Sequence, residues 1–386
     1  GPGDPDHLDL ESAYHIRSGQ IVRAVTRQLF CYPPSGDLAD PARAFSPVPD
    51  VAEDHPTLAN GGLSADGRTY TFRLRSDVFW DADVPRKLTA QDFIRGFERI
   101  AEPVTPHDIR GYFIQTIVGM KAYCDDYERD VPGSPPSPEA LAAFRSNNRI
   151  SGLTARDDGT LIVRLLEPAN DFLNLLALGY AVALPEETEG VPLGSEAFRR
   201  RYVSSGPYRI VSGKNGSAEP VADQRAMVLA PNPVWRQASD PIRSQAIGAI
   251  RSTAGNYRCE AVREGIRTGE IDPAWPFAVV SWDGSVPAGS AFPAIYPGFT
   301  LNPYLVFNMS SPNADGALRQ HEVRQAVACA IDKAAIGDLF AVLHGVAVEP
   351  LHSVLPPSTL GHRQFDFYPT PQSRGDREKA RACLKR

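Results

Sequence analysis

At 386 residues the chain is too long for one ordinary hydrophobic core and is expected to divide into two or three lobes. Its net charge of −6, with both signs mixed along the chain and no block of Lys and Arg interleaved with aromatics, excludes nucleic acid as a natural partner. No apolar run approaches the roughly 20 residues that span a bilayer, and the 35 prolines and 31 glycines suit many short strands joined by loops.

No signal peptide stands at Gly1-Pro2-Gly3, and Gly1-Pro2 reads as a protease scar. Leu8–Ala13 reads as a first short strand, and the run Gln20–Phe30 places Ile21, Val25 and Leu29 on one helical stripe. Asn60–Ile100 is the most ordered stretch. Asp66-Gly67 is a tight-turn dipeptide, after which Tyr70, Phe72 and Leu74 alternate with Thr71, Arg73 and Arg75, the period of a half-buried strand leaving a hairpin. Thr89 then stands three residues before Asp92, and Phe93, Phe97 and Ile100 recur at helical spacing, which predicts a capped amphipathic helix.

Val131–Pro138 is a Pro/Ser/Gly loop, and Leu153–Leu165 is a second hairpin centred on Asp157-Asp158-Gly159. Gly206 before Pro207 predicts an extended turn feeding a strand at Tyr208-Arg209-Ile210, because the residue before a proline is pushed out of the helical region. Trp235 is expected to pack rather than to touch a ligand. Phe277–Trp282 reads as a buried strand. Val323, Val327, Ala330 and Ile331 share one face of a helix that ends near Asp332-Lys333, and Arg377–Leu384 is a last helix whose apolar side is Ala380, Cys383 and Leu384.

Cys31, Cys124, Cys259, Cys329 and Cys383 include no C-x-x-C pair, which argues against a zinc or iron–sulfur site. The odd count leaves at least one thiol free, and an exported location would permit disulfides among the rest, in a pairing the sequence does not assign. The eight histidines include no close i, i+4 pair. Gly-x-Ser-x-Gly, His-Glu-x-x-His, a Walker loop and a dinucleotide fingerprint are all absent. Acid pairs such as Asp125-Asp126, Asp157-Asp158 and Glu186-Glu187 read as solvated rather than catalytic. No metal, no cofactor and no enzymatic activity are expected.

Five segments together resemble the peptide-class extracytoplasmic solute-binding proteins of ABC importers, the family with oligopeptide-, dipeptide- and nickel-binding members. They are Asp66-Gly67 through Asp92-Phe93, Ser204–Ile210, Gly269–Asp272, Tyr304–Asn308 with Val323–Lys333, and Asp376–Leu384. Two departures stand out: Asp81-Ala82-Asp83-Val84 replaces a shorter Asp-Gly turn, and Ser204-Ser205 replaces the usual Gly-Thr. The resemblance implies an α/β, two-lobed periplasmic-binding-protein type II-like fold with a small extra α+β subdomain. The first lobe is expected at 1–45 and 171–295, the inserted subdomain at 46–170, and the beginning of a second lobe at 296–386. Beyond Leu384 a family member continues, so the second lobe is expected to be incomplete here and to be finished by a second chain or a further C-terminal segment.

The implied function is capture of a peptide or peptide-like small solute between two lobes for uptake. An ABC permease is the implied membrane partner. The implied location is extracytoplasmic, as a membrane-anchored lipoprotein or a secreted protein. Family cleft positions correspond to Tyr14, His15, Arg17, Tyr32, Tyr112, Tyr180, Ser205, Trp282 and Tyr304. Two other readings stay open, because fold does not fix function: an enzyme or biosynthetic factor built on the scaffold, and a sensory or interaction module without transport.

Overall fold

In the computed structural model the Asp66-Gly67 turn closes the expected hairpin: Ser64 N–H donates to the Thr69 carbonyl at 2.9 Å, and Gly67 takes the left-handed conformation. The structure describes residues 16–33, 46–102, 109–131, 136–189, 202–211, 226–253, 264–265, 267–270, 304–344, 349–355 and 361–385. The expected strands at Leu8–Ala13 and Phe277–Trp282 lie outside these residues. The chain divides into two compact units, one of residues 2–36 with 43–255, the other of 256–386 with residue 1 and 37–42. The segments Asp66–Phe93 and Tyr304–Lys333 therefore belong to different units.

The larger unit opens with helix α1 (Ile16–Val25), which leads into a short ribbon of β1 (Phe30–Cys31) against β2 (Val48–Pro49). Leu29 is buried, as its place on the helical stripe demands, although α1 ends at Val25. Strand β3 (Thr69–Arg73) follows, then the ribbon β4 (Phe79–Trp80) with β5 (Arg86–Lys87), then helix α2 (Ala90–Ala101). Thr89 caps α2 as predicted: its N–H donates to Asp92 Oδ2 at 2.8 Å. The same carboxylate accepts from Trp80 Nε1 at 3.0 Å and from Arg86 Nη1 at 3.0 Å, so the cap also anchors the β4–β5 ribbon.

Helices α3 (Arg110–Thr116), α4 (Met120–Asp130) and α5 (Pro138–Asn147) come next. The hairpin of β6 (Leu153–Asp157) and β7 (Thr160–Arg164) then completes a three-stranded antiparallel sheet in the order β3-β7-β6, with Thr69 opposite Arg164 and Arg73 opposite Thr160. Helix α6 (Phe172–Leu176) leads toward a second antiparallel sheet of β8 (Tyr208–Ile210), β9 (Ala226–Pro231) and β10 (Ile250–Thr253), with β9 central.

One apolar core runs through most of this unit, from Leu29 and Phe30 through Phe72, Trp80, Phe93, Phe97, Phe113, Tyr123 and Phe144 to Phe172 and Val203. Each such aromatic contributes about 1.5–3 kcal/mol by leaving water. The region expected as a separate subdomain, 46–170, thus shares its core with residues on either side of it. A second, smaller cluster of Ile21, Val25, Tyr202, Tyr208, Ile210 and Leu229 holds α1 against the second sheet.

The smaller unit includes α7 (His321–Ala330), α8 (Lys333–His344) and α9 (Arg377–Cys383). The buried face of α7 differs from the one read from its sequence. Ala326 and Cys329 are buried against Ala380 of α9, whereas Ala330 is exposed. Small side chains let the two helices approach closely, and α7 stops at Ala330 because Asp332 caps the next helix, accepting from Ala335 N–H at 2.8 Å. Of the expected apolar side of α9, Leu384 is exposed. Tyr304–Asn308 forms no strand with any described segment, and Tyr304, Leu305 and Val306 are exposed, because an extended segment without a ladder partner has no sheet to enter.

Candidate functional site

The segment Val25–Tyr32 is the line along which the sequence-derived site residues of the larger unit gather. At one end, the Ser205 and Gly206 amides both donate to the Val25 carbonyl at 3.0 Å, and Arg27 N–H donates to Ser205 Oγ at 3.1 Å. Gly206 is required there: a Cβ would fall 2.6 Å from the Ala24 carbonyl oxygen and 2.8 Å from the Thr26 nitrogen. In the middle, Gln28 bridges to Val182, and its Nε2 donates to the Leu178 carbonyl at 2.5 Å. At the other end, Tyr32 is half-buried, and its hydroxyl accepts from Asn174 Nδ2 at 3.2 Å. Tyr180, also half-buried, sits in the turn just before Val182, whose amide donates to its carbonyl.

Beneath this strip lie two arginines and two aspartates from three distant stretches of chain. Arg27 Nε donates to Asp50 Oδ1 at 2.5 Å, and Arg243 Nη2 pairs with Asp50 Oδ2 at 2.9 Å. Asp240 Oδ2 lies 3.4 Å from Arg27 Nε and 3.3 Å from Arg243 Nη1. Arg27, Asp50 and Asp240 are fully buried. Further donors complete the set: Gln28 N–H to Asp50, Trp235 Nε1 to Asp240 Oδ2 at 3.1 Å, and the Ile242 and Arg243 amides to Asp240 Oδ1. Burial works against the ionised form of Asp50, but the Arg243 and Arg27 guanidiniums outweigh it and hold the carboxyl below its usual range. Burial likewise opposes the charge on Arg243, and the Asp50 and Asp240 carboxylates drive its pKa upward.

Two cations facing two anions leave no net charge to attract a ligand, so the quartet acts as a clamp that fixes the strip above it. Trp235, half-buried, orients Asp240 through its indole N–H. The quartet was invisible in the sequence: no spacing links Arg27, Asp50, Asp240 and Arg243, and only the fold brings them together.

The remaining sequence-derived residues are dispersed. Tyr14, His15 and Trp282 lie outside the described residues, as does the side chain of Arg17 on α1. Tyr112 is exposed on α3, and Tyr304 is exposed in the smaller unit. Ser205 is fully buried, its hydroxyl engaged with Arg27.

Among the described residues no cluster of three or more His, Cys, Asp or Glu could hold a metal ion, and no helix is long and apolar enough to cross a membrane. One arrangement in the smaller unit has the order of a hydrolytic triad: His352 Nδ1 lies 2.8 Å from Asp366 Oδ2, and Ser373 Oγ lies 3.5 Å from His352 Nε2. The nearby Ser373 and Arg374 amides donate to the Thr370 and Pro371 carbonyls, so neither is available to stabilise an oxyanion.

The mixed α/β architecture in two units is what the sequence resemblance implies for a solute-binding protein. Residues 46–386 match the family described as bacterial extracellular solute-binding proteins, family 5 Middle, and the chain belongs to that family. It is 24% identical over 391 residues to the probable deoxycholate-binding periplasmic protein YgiS of Escherichia coli strain K12, spanning 99% of this chain and 61% of that protein. Among solved structures it is similar to clavulanic acid biosynthesis oligopeptide binding protein 2, with a TM-score of 0.67, 25% identity, and coverage of 99% of this chain and 62% of the other. The murein tripeptide binding protein MppA of Escherichia coli shares the fold, with a TM-score of 0.63 and 20% identity over 100% of this chain and 65% of that one. The chain therefore spans less than two thirds of each of these relatives, all of which are named as binding proteins.

Proposed function

We propose that this chain is the solute-capturing part of an ABC importer, acting outside the cytoplasm on a peptide or peptide-like small solute. The family match across residues 46–386 is the observation that carries this reading. The strip supports it physically: Tyr32 stands on a segment tied down by the buried ion pairs, Asn174 and Tyr180 lie beside it, and a pre-organised polar and aromatic surface loses little entropy when a ligand settles on it. Tyr14, His15, Arg17, Tyr112, Trp282 and Tyr304 are the further contacts in this proposal. Ser205 holds the strip's backbone. The partner at the membrane is the permease, and the protein is lipid-anchored or secreted.

A further polypeptide segment completes the smaller unit in this proposal, which is supported by the exposed Tyr304, Leu305 and Val306 and by the coverage of less than two thirds of each relative. A second ligand class is favoured by one observation, that a relative matching 99% of the chain is named for deoxycholate. Titration calorimetry with a set of di- to pentapeptides and with deoxycholate, on this chain and on the full-length gene product, tests all of this. The full-length product is expected to bind a peptide at micromolar strength or better, and this chain at least about tenfold more weakly. Equal binding by the chain alone sinks the completing segment, deoxycholate binding without peptide binding replaces the ligand class, and no binding by either ends the capture reading.

A further inference from the structure

We propose that Cys329 and Cys383 form a disulfide that staples α7 to α9 in the smaller unit. The two helices pack through Ala326, Cys329 and Ala380, with Cys383 packed against the same cluster. The backbone holds them there independently of the sulfurs: Asp376 N–H donates to the Cys329 carbonyl at 2.7 Å. Gly375, in the left-handed conformation, passes so close that a Cβ would lie 2.5 Å from the Ala330 carbonyl oxygen. The approach of the two helices is thereby held by backbone contacts that need no covalent bond. In the structure Cys329 and Cys383 are free thiols, as are Cys31 and Cys124, which are buried in the other unit.

The two thiols differ in access. Cys329 is fully buried, and burial, reinforced by the Cys383 thiol beside it, pushes its pKa up. Cys383 is half-buried at the end of α9 and is the point of entry. Its thiolate attacks a carrier disulfide, such as glutathione disulfide or the disulfide of a thiol oxidase, forming a mixed disulfide and releasing one carrier thiolate. Cys329 then loses its proton and attacks Cys383 Sγ, expelling the second carrier thiolate. Two protein thiols give up two electrons and two protons, and one carrier disulfide becomes two thiols. Meeting such an oxidant in the cell rests on the extracytoplasmic reading above; the chemistry in a redox buffer does not.

The test is equilibration of the purified chain in glutathione buffers of rising potential, followed by alkylation, digestion and mass spectrometry. Above a midpoint typical of structural disulfides, one cross-linked pair is expected, joining the peptides that contain Cys329 and Cys383. Cys383→Ser, a mild change at a half-buried position, is expected to abolish it, whereas Cys259→Ser leaves it intact. Oxidation is also expected to raise the thermal midpoint of the wild-type chain by several degrees and that of Cys383→Ser not at all. A cross-link of either residue to Cys259, or both thiols still alkylated under fully oxidising conditions, overturns the proposal. Because the assay needs no solute, it stands or falls separately from the binding experiment.

Discussion

Asp81 and Ser204 hold each other through two hydrogen bonds, the Asp81 amide donating to the Ser204 carbonyl at 3.0 Å and the Ser204 amide donating to Asp81 Oδ1 at 2.5 Å. Both residues belong to the stretches where the sequence departs from its family, the 81–84 loop and the Ser204-Ser205 turn. The two departures meet in space. Replacing Asp81 by Ala leaves the buried Ser204 N–H without its acceptor and is predicted to cost about 1–3 kcal/mol. Asp81→Asn, which keeps an accepting oxygen, is predicted to cost less than half as much in urea unfolding followed by circular dichroism. Equal losses in the two variants would show that the carboxylate charge, not the acceptor, matters.

Truncating Asp50 tests the buried quartet. Asp50→Ala leaves Arg27 and Arg243 facing Asp240 alone, and a broken buried ion pair costs about 3–5 kcal/mol. Since the Asp50 carboxyl titrates lower in the folded chain than in the unfolded one, its contribution is present above the ordinary carboxylate range. It is lost as pH falls from about 4 through the depressed folded value. Denaturant midpoints measured between pH 7 and pH 3 should therefore fall more steeply for the wild type than for Asp50→Asn.

Glu98, on α2, behaves in the opposite sense. Burial, reinforced by the Glu102 carboxylate and opposed by Arg149 and Arg145, pushes its carboxyl up to about 7, and its Oε1 has no hydrogen-bond partner among the described residues. The folded chain then holds this proton more tightly than the unfolded one, so stability falls as pH rises from about 4.5 to 7 and stays low above that. Glu98→Gln is predicted to remove this loss, stabilising the protein by on the order of 2–3 kcal/mol at pH 8 and by little at pH 4. A variant equally stable relative to wild type at both pH values would refute the assignment.

Gly96→Ala would ordinarily stabilise a helix by about 1 kcal/mol. Here the added Cβ would lie 1.9 Å from the Val182 carbonyl oxygen, in the turn that carries Tyr180. We predict a net loss of about 1–3 kcal/mol, together with weaker solute binding, because α2 and the strip must separate. Thermal unfolding and calorimetry of the same variant read the two effects.

Legibility in the sequence followed range. The Asp66-Gly67 hairpin, the Thr89 cap and the Gly206-Pro207 turn depend on residues a few places apart, and each formed as its local chemistry requires. The face of α7 was misread because Val323 and Val327 are larger than Ala326 and Cys329, whereas the partner helix selects small side chains. The clamp under the strip joins residues more than 200 positions apart, and Arg27 looks in the sequence like any charged residue after a helix. Of the candidate strip, Tyr32 and Tyr180 were expected as cleft residues from the family resemblance, an expectation that remains a proposal; Asn174, which donates to the Tyr32 hydroxyl, carried no signal at all.

The pairing of β3 with β7 sets a timetable for the chain. Thr69–Arg73 finds its partner only in Thr160–Arg164, and β6 cannot serve instead, because it lies on the far side of β7. A chain emerging in order must therefore keep Tyr70 and Phe72 out of their sheet until some ninety later residues have appeared, with only the 62–64 arm of the hairpin to shelter them. Assembly dominated by such distant partners is slow. The interval leaves two aromatic side chains available to whatever apolar surface meets the chain first.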